Sequence, residues 1–164
     1  MTTTATYGHG TENDFVLIFD PSDSLKISPA SCARICDREV GIGSDGLIKI
    51  IKRDGVWFMD YRNRDGSLAE MCGNGIRVMA RYLVDRGHQS SGIFPINTRS
   101  GKKFLSVPPV GDITVNMGQI AIEPGEIRSE NLEVKNLGLK VDVGNPHVDR
   151  KSTRLNSSHV SESR

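Results

Sequence analysis

The 164-residue chain has almost no excess of either charge sign: 21 Lys and Arg stand against 20 Asp and Glu, a net of +1. That balance builds no basic field of the kind nucleic acid or an acidic membrane surface requires. Long apolar runs are also missing. Longer apolar stretches such as residues 15–19 and 47–51, the latter broken by Lys49, fall far short of a bilayer span. The opening "MTTTATYGHG" has neither the positive region nor the apolar core of a secretory leader. Cysteine is scarce and odd in number, three in all, which implies no disulfide framework. Cys and His never gather at metal-ligand spacing, so no metal site is expected. The glycine string "GIGSDG" at 41–46 lacks the third glycine of a dinucleotide fingerprint and precedes a strand instead of opening a helix, so it reads as a structural turn. On these absences the chain is expected to be a reduced, cytoplasmic protein with no nucleic-acid partner and no membrane association.

With 37% hydrophobic and 25% charged residues, the chain suits one ordinary globular domain, or one and part of a second. Turn formers at 7–10 and at Asn13-Asp14 precede a buried strand at 15–19. Ser28-Pro29 is a helix start, with Ser as N-cap and Pro at the first helical position; this helix is expected to run to about Arg38. Strands follow at 47–52 and 56–62, joined by a turn at Arg53-Asp54-Gly55. After Cys72, the residues Ile76, Met79, Ala80, Leu83 and Val84 share one helical face opposite Arg77, Arg81 and Asp85, and Gly87 supplies the stop. Short strands are expected at 93–98, 103–107 and 113–117. Strands with two inserted helices make an α+β pattern. From Lys151 the chain, "KSTRLNSSHVSESR", is serine-rich and has no hydrophobic period. It reads as a disordered tail of non-native origin.

One cysteine is conspicuous. Cys72 stands at the mouth of the second helix beside Gly-Asn-Gly. Unpaired amide N–H groups and the helix dipole favour a thiolate there. The N–H groups of Gly73, Asn74 and Gly75 could hold a carboxylate or oxyanion. A sulfur base beside an anion cradle suits removal of a proton from a carbon next to a carboxylate. A buried structural cysteine is the plainer alternative, and the local pattern leaves both open. Cys32 and Cys36, four apart on the first helix, read as core residues. His9 and His147 sit beside turn formers, where a surface role is commoner than a catalytic one, and Asn13, Asn63 and Asn145 fall in tight turns, where asparagine is expected in any case.

Four segments resemble one family. "HGTENDF" (9–15), "DREVGIGSDGL" (37–47), "YRNRDGSLAEMCGNGIR" (61–77) and "VDVGNPH" (141–147) follow the order and spacing of diaminopimelate epimerase. Proline racemase-like relatives typically carry His at the position of Asn74. The resemblance implies a curved, barrel-like mixed sheet wrapped round a central helix, the first of two similar domains. Residues 1–118 would be that domain, 119–149 the start of a truncated second one, and 150–164 the tail. It also implies a cofactor-independent isomerase interconverting LL- and meso-2,6-diaminoheptanedioate by proton transfer between two cysteines, in lysine and peptidoglycan precursor synthesis. By the same resemblance Cys72 and His147 are catalytic, while Asn13, Asn63, Gly73, Asn74 and Asn145 bind substrate. The partner is then a small amino acid, and a homodimer is compatible with the full-length protein.

Two departures stand out. Many members carry Gln where this chain has Gly46, although others also have glycine. The second cysteine, in a Cys-Gly-Thr context, is absent, so the chain alone is expected to be inactive. The alternatives are another cofactor-independent racemase or isomerase of this fold, or a non-catalytic carboxylate-binding fragment.

Overall fold

The computed structural model describes residues 4–119, 121–127, 136–142 and 146–150. Contacts divide the chain into Met1–Asn116 and Met117–Arg164. The first unit orders seven strands in one sheet, β1 to β7, in sequence order. These are β1 (Ala5–Gly10), β2 (Asn13–Phe19), β3 (Gly46–Arg53), β4 (Val56–Asn63), β5 (Gly92–Thr98), β6 (Gly101–Val107) and β7 (Thr114–Asn116). The pairs β2–β3 and β4–β5 are parallel and the others antiparallel, so the sheet is mixed.

The two helices occupy the connections that parallel pairing requires. Helix α1 (Pro29–Cys36) joins β2 to β3, and α2 (Gly73–Asp85) joins β4 to β5. The uninterrupted apolar run of β2 follows from this arrangement. Phe15 and Leu17 enter the core beneath α2, while Val16 and Ile18 enter a second cluster with Cys32 and Cys36 of α1. A strand covered on both faces has no polar side to show.

Helix α2 packs against β1, β2 and β3 and also against β6 and β7. Seven flat strands about 4.8 Å apart would put the edges nearly 30 Å from each other. A helix about 10 Å across reaches both edges only when the sheet curls around it. Ile76, Met79, Ala80 and Leu83 are completely buried in that curl, each large apolar side chain contributing about 1.5–3 kcal/mol. The amphipathic face expected from the sequence is the one buried, with Val84 partly covered at its margin. Gly87, at φ +70°, ends the helix as expected, and His88 N–H reaches back to the Leu83 carbonyl at 2.8 Å.

Two expectations needed correction. Residues 7–10 and Asn13-Asp14 are not turns: they belong to β1 and β2, paired with each other, and the turn is Thr11-Glu12, with φ of 54° and 65°. Both residues adopt the left-handed conformation without glycine, so the usual hairpin signal is missing. Helix α1 ends at Cys36, not Arg38, because the Asp37 carboxylate accepts from the Glu39 and Val40 N–H groups and starts a new turn.

In the second unit, β8 (Ala121–Ile127), β9 (Asn136–Asp142) and β10 (Pro146–Arg150) form an antiparallel sheet with β9 central. The expected tail at 150–164 begins at the last residue of β10, and the rest of it lies outside the described residues. Among the described residues no helix is long and apolar enough to cross a membrane.

Candidate active site

Three strand ends meet at one rim of the first sheet. In register, Phe15 of β2 lies beside Gly46 of β3, which lies beside Asn63 of β4. Asn13 therefore begins β2, Gly46 begins β3 and Asn63 ends β4, all on the same side. Helix α2 starts close to that rim because its third residue is a glycine. A Cβ on Gly75 would lie 2.9 Å from Met59 Cε, 3.0 Å from Ile48 Cδ1 and 3.3 Å from Phe15 Cε1. Any side chain there would have to displace those side-chain tips, so the bare backbone lets the helix settle at that depth.

Cys72 is the N-cap of α2 and its sulfur accepts from the Gly75 N–H at 3.5 Å. The first helical hydrogen bond runs from Ile76 N–H to the Cys72 carbonyl. The Gly73 and Asn74 N–H groups thus belong to the unsatisfied first turn that suits an anion. Cys72 is half-buried, whereas Cys32 and Cys36 have no exposed surface at all. The latter two take the core role expected of them, and Cys36 beside Cys32, together with burial, holds the Cys32 thiol far above the ordinary thiol range.

Asn13 touches the sulfur directly: the Cys72 thiol donates to Asn13 Oδ1 at 3.6 Å. At its other end, Asn13 Nδ2 donates to Asp45 Oδ2 at 2.7 Å. Asp45 in turn accepts from Arg38 at 2.9 Å, and Arg38 grips Asp14 with both nitrogens, at 2.8 and 2.9 Å. Arg38 holds the Asp14 carboxyl well below the usual carboxylate range, assisted by the Tyr7 hydroxyl. Burial, and then the nearby Cys72 and Asp45, push the Tyr61 hydroxyl up to about 12.

The Asn74 side-chain oxygen accepts from Arg77 at 2.6 Å and from Thr11 at 3.0 Å. This ties the β1–β2 turn to α2. Asn63 is exposed. Its amide donates to Ser67 Oγ at 3.0 Å, and with Asp37, Asp45, Arg64 and Asp65 it lines an open cleft of about 630 Å³. Arg99 reaches from the β5–β6 turn to the carbonyls of Tyr61 (2.7 Å) and Ala69 (2.9 Å), and to Asp60. It thereby pins the segment that leads into Cys72.

The structure thus brings Cys72, Gly73, Asn74 and Asn13 together and sets Asn63 on the same rim. His147 belongs to β10 of the other unit, paired with Val141. Asn145 lies outside the described residues. Sequence reasoning missed Arg38, Asp45 and Arg99. Asp45 sits inside the string read as a plain turn, and only its carboxylate among small neighbours hinted at more.

A profile of the diaminopimelate epimerase family matches residues 5–122. This chain belongs to that family. A diaminopimelate epimerase from Streptomyces coelicolor is 44% identical over 152 residues, covering 86% of this chain and 53% of that protein. One from Thermobifida fusca is 43% identical over 157 residues, covering 86% and 57%. The chain therefore spans about half the length of the curated relatives it matches. Among solved structures, a PhzF-family phenazine biosynthesis protein from Bacillus anthracis superposes with a TM-score of 0.65 at 17% identity, over 90% of this chain and 55% of that one. That likeness establishes the fold: a curled mixed sheet of the diaminopimelate epimerase type.

Proposed function

We propose that the complete protein is a cofactor-independent epimerase interconverting LL- and meso-2,6-diaminoheptanedioate in the cytoplasm, and that this chain supplies one of its two catalytic cysteines. The observation behind this is a half-buried thiol capping a helix whose next two amide N–H groups are unused. With the substrate α-carboxylate on the Gly73 and Asn74 N–H groups, the Cys72 thiolate breaks the α-carbon–hydrogen bond and becomes a thiol. The electron pair left on carbon spreads toward the carboxylate oxygens, where those N–H groups stabilise it. A second cysteine thiol, on the other face of the carbon, returns a proton and completes the inversion.

Asn13 and Asn63 bind the substrate, and Asn145 and His147 contribute from the second domain. Residues 1–118 are the first domain, 119–149 the start of the second and 150–164 a non-native tail. The full-length enzyme acts on a small molecule, with no nucleic acid involved. The present chain alone is inactive, because one face of the substrate meets no acid.

The test is exchange of the substrate α-proton in heavy water. A full-length relative turns over, and its Cys72→Ala equivalent loses inversion by several orders of magnitude while still binding substrate. Undiminished inversion in that variant refutes the assignment. Turnover by the 164-residue chain at the full-length rate refutes the claim of inactivity.

A further inference from the structure

The hydrogen-bond chain behind Cys72 has a direction, and the direction has a chemical consequence. A carboxylate accepts hydrogen bonds and donates none, so Asp45 compels Asn13 to point its NH2 at Oδ2, at 2.7 Å. The other end of the same planar amide is then an oxygen, and it faces the Cys72 sulfur at 3.6 Å. An amide oxygen welcomes a thiol proton and repels a thiolate. The Gly75 N–H, 3.5 Å away on the helix side, does the reverse. The sulfur sits between one group that favours its protonated form and one that favours its ionised form.

We propose that Asp45 is a positioning residue: by fixing the orientation of the Asn13 amide it holds the proton on Cys72 while the site is empty. This rests on the reading of Cys72 as the proton carrier, but it concerns the sulfur itself and is measurable without turnover. Arg38 is the anchor of the chain. It occupies Asp45 Oδ1 at 2.9 Å, the Asp45 N–H bonds Asp14 Oδ1 at 2.8 Å, and the Asp14 N–H meets Asp45 Oδ2 at 3.3 Å, so the carboxylate has little freedom to turn away.

The substitution Asp45→Asn reverses the polarity. The charged Arg38 donor, at 2.9 Å, outcompetes the Asp14 N–H, at 3.3 Å, for the new amide's single oxygen, so that oxygen turns to Arg38 and the NH2 to Asn13, at the cost of the weaker Asp14 contact. Asn13 then presents oxygen to that NH2 and its own NH2 to the sulfur, which now favours the thiolate. A hydrogen bond to a charged group is strong enough to change the thiolate fraction at neutral pH on the order of tenfold. Charged and titratable groups around this end are Tyr61 of β4, Asp14 of β2, His9 of β1, Arg77 of α2, and Arg38 and Asp45 between α1 and β3. The substitution changes one of them.

The experiment is alkylation of the 164-residue chain with iodoacetamide from mildly acidic to alkaline pH, read at the Cys72 peptide by mass spectrometry. Cys32 and Cys36 are wholly buried and serve as internal controls for folding. In Asp45→Asn the rate profile moves to lower pH, by on the order of tenfold in rate at neutral pH, with the alkaline plateau unchanged. The substitution also removes a negative charge, so it is repeated in an Asn13→Ala background, where the proposal predicts little further movement. An unmoved profile, a move to higher pH, an equal rate gain at every pH, or a full downward move in the Asn13→Ala background overturns the proposal. Should that variant fail to protect Cys32 and Cys36, Asn13→Ala decides: it removes the acceptor, and its profile also moves down if the proposal holds and stays put if it does not. A full-length enzyme lacking epimerase activity would sink the functional reading and leave these thiol profiles intact, so the two failures are distinguishable.

Discussion

Gly46 is the position where the rim is tightest. Its backbone does not have a positive φ, so alanine meets no conformational objection. On that ground alone Gly46→Ala should stabilise the protein by about 0.4–1 kcal/mol, through a less flexible unfolded chain. The packing argues the other way. A Cβ there would lie 2.6 Å from Tyr61 Cε2 and 2.7 Å from the Arg62 carbonyl oxygen, the second of which is backbone and cannot swing aside. Tyr61 is itself held edge-on to Phe15, with ring centroids 6.0 Å apart. Inserting a methyl into a packed core costs about 1–3 kcal/mol, and disturbing an aromatic pair adds about 0.5–1.5 kcal/mol.

The net expectation is a loss of about 2 kcal/mol, the sum of those ranges less the entropy gain. Urea unfolding followed by fluorescence of the single, buried Trp57 measures it. For a slope near 2 kcal/mol/M, the midpoint falls by about 1 M. In a Tyr61→Leu background the ring contact is gone and the backbone contact stays, so the cost of Gly46→Ala shrinks without vanishing. A midpoint equal to or above that of the parent refutes the steric argument, because the entropy term would then have prevailed. The same geometry bears on the family's frequent Gln: in this chain it would require Tyr61 and the β4 backbone to move, so glycine here is a packing requirement.

Lys49 is almost fully buried, 3.7 Å from the Asp20 carboxylate, bonded to the Leu25 carbonyl at 2.9 Å and paired with Asp23. Lys49→Met leaves the buried Asp20 without its cation and is expected to cost about 3 kcal/mol in the same urea assay; a loss below about 1 kcal/mol would show that the Ser24 and Leu25 donors to Asp20 suffice. Asp14, whose carboxyl Arg38 holds below the usual range, contributes stability that is complete above about pH 4 and drains away as pH falls toward its folded value. Arg38→Met therefore flattens the acid-side slope of unfolding free energy against pH, and an unchanged slope would exclude that pair as its source.

The fold was readable where one periodicity dominated. Helix α2 announced itself through Ile76, Met79, Ala80 and Leu83, and β3 and β4 through apolar runs joined at Asp54-Gly55, where Asp54 and Gly55 both have positive φ. Strand β1 was hidden because it is an edge strand, half-exposed, with polar and glycine residues and a turn built from Thr11 and Glu12. The parallel pairing of β2 with β3 was also invisible, since register between distant strands leaves no local mark. At the site, the position of Cys72 was legible from chemistry near it in sequence, and the glycines around it pointed to a helix start. Asp45 and Arg38 were not legible: their significance comes from Asn13, 32 residues from Asp45 along the chain, and arises only after β2 and β3 lie side by side.

The two glycines flanking Asn74 therefore do unlike things, which a reading of the motif as one flexible loop would blur. Gly75 is buried, and its missing side chain lets the helix settle on Met59, Ile48 and Phe15. That contact fixes where the helix begins, hence where the sulfur one turn earlier must sit. Gly73 is half-exposed and begins the helix, where amide N–H groups have no helical partner. Arg99 holds the incoming segment at the Ala69 carbonyl, Gly75 holds the outgoing helix, and Asn13 meets the sulfur itself. All three restraints come from residues before 117, within one unit. The geometry around Cys72 is thus determined by residues of Met1–Asn116 alone.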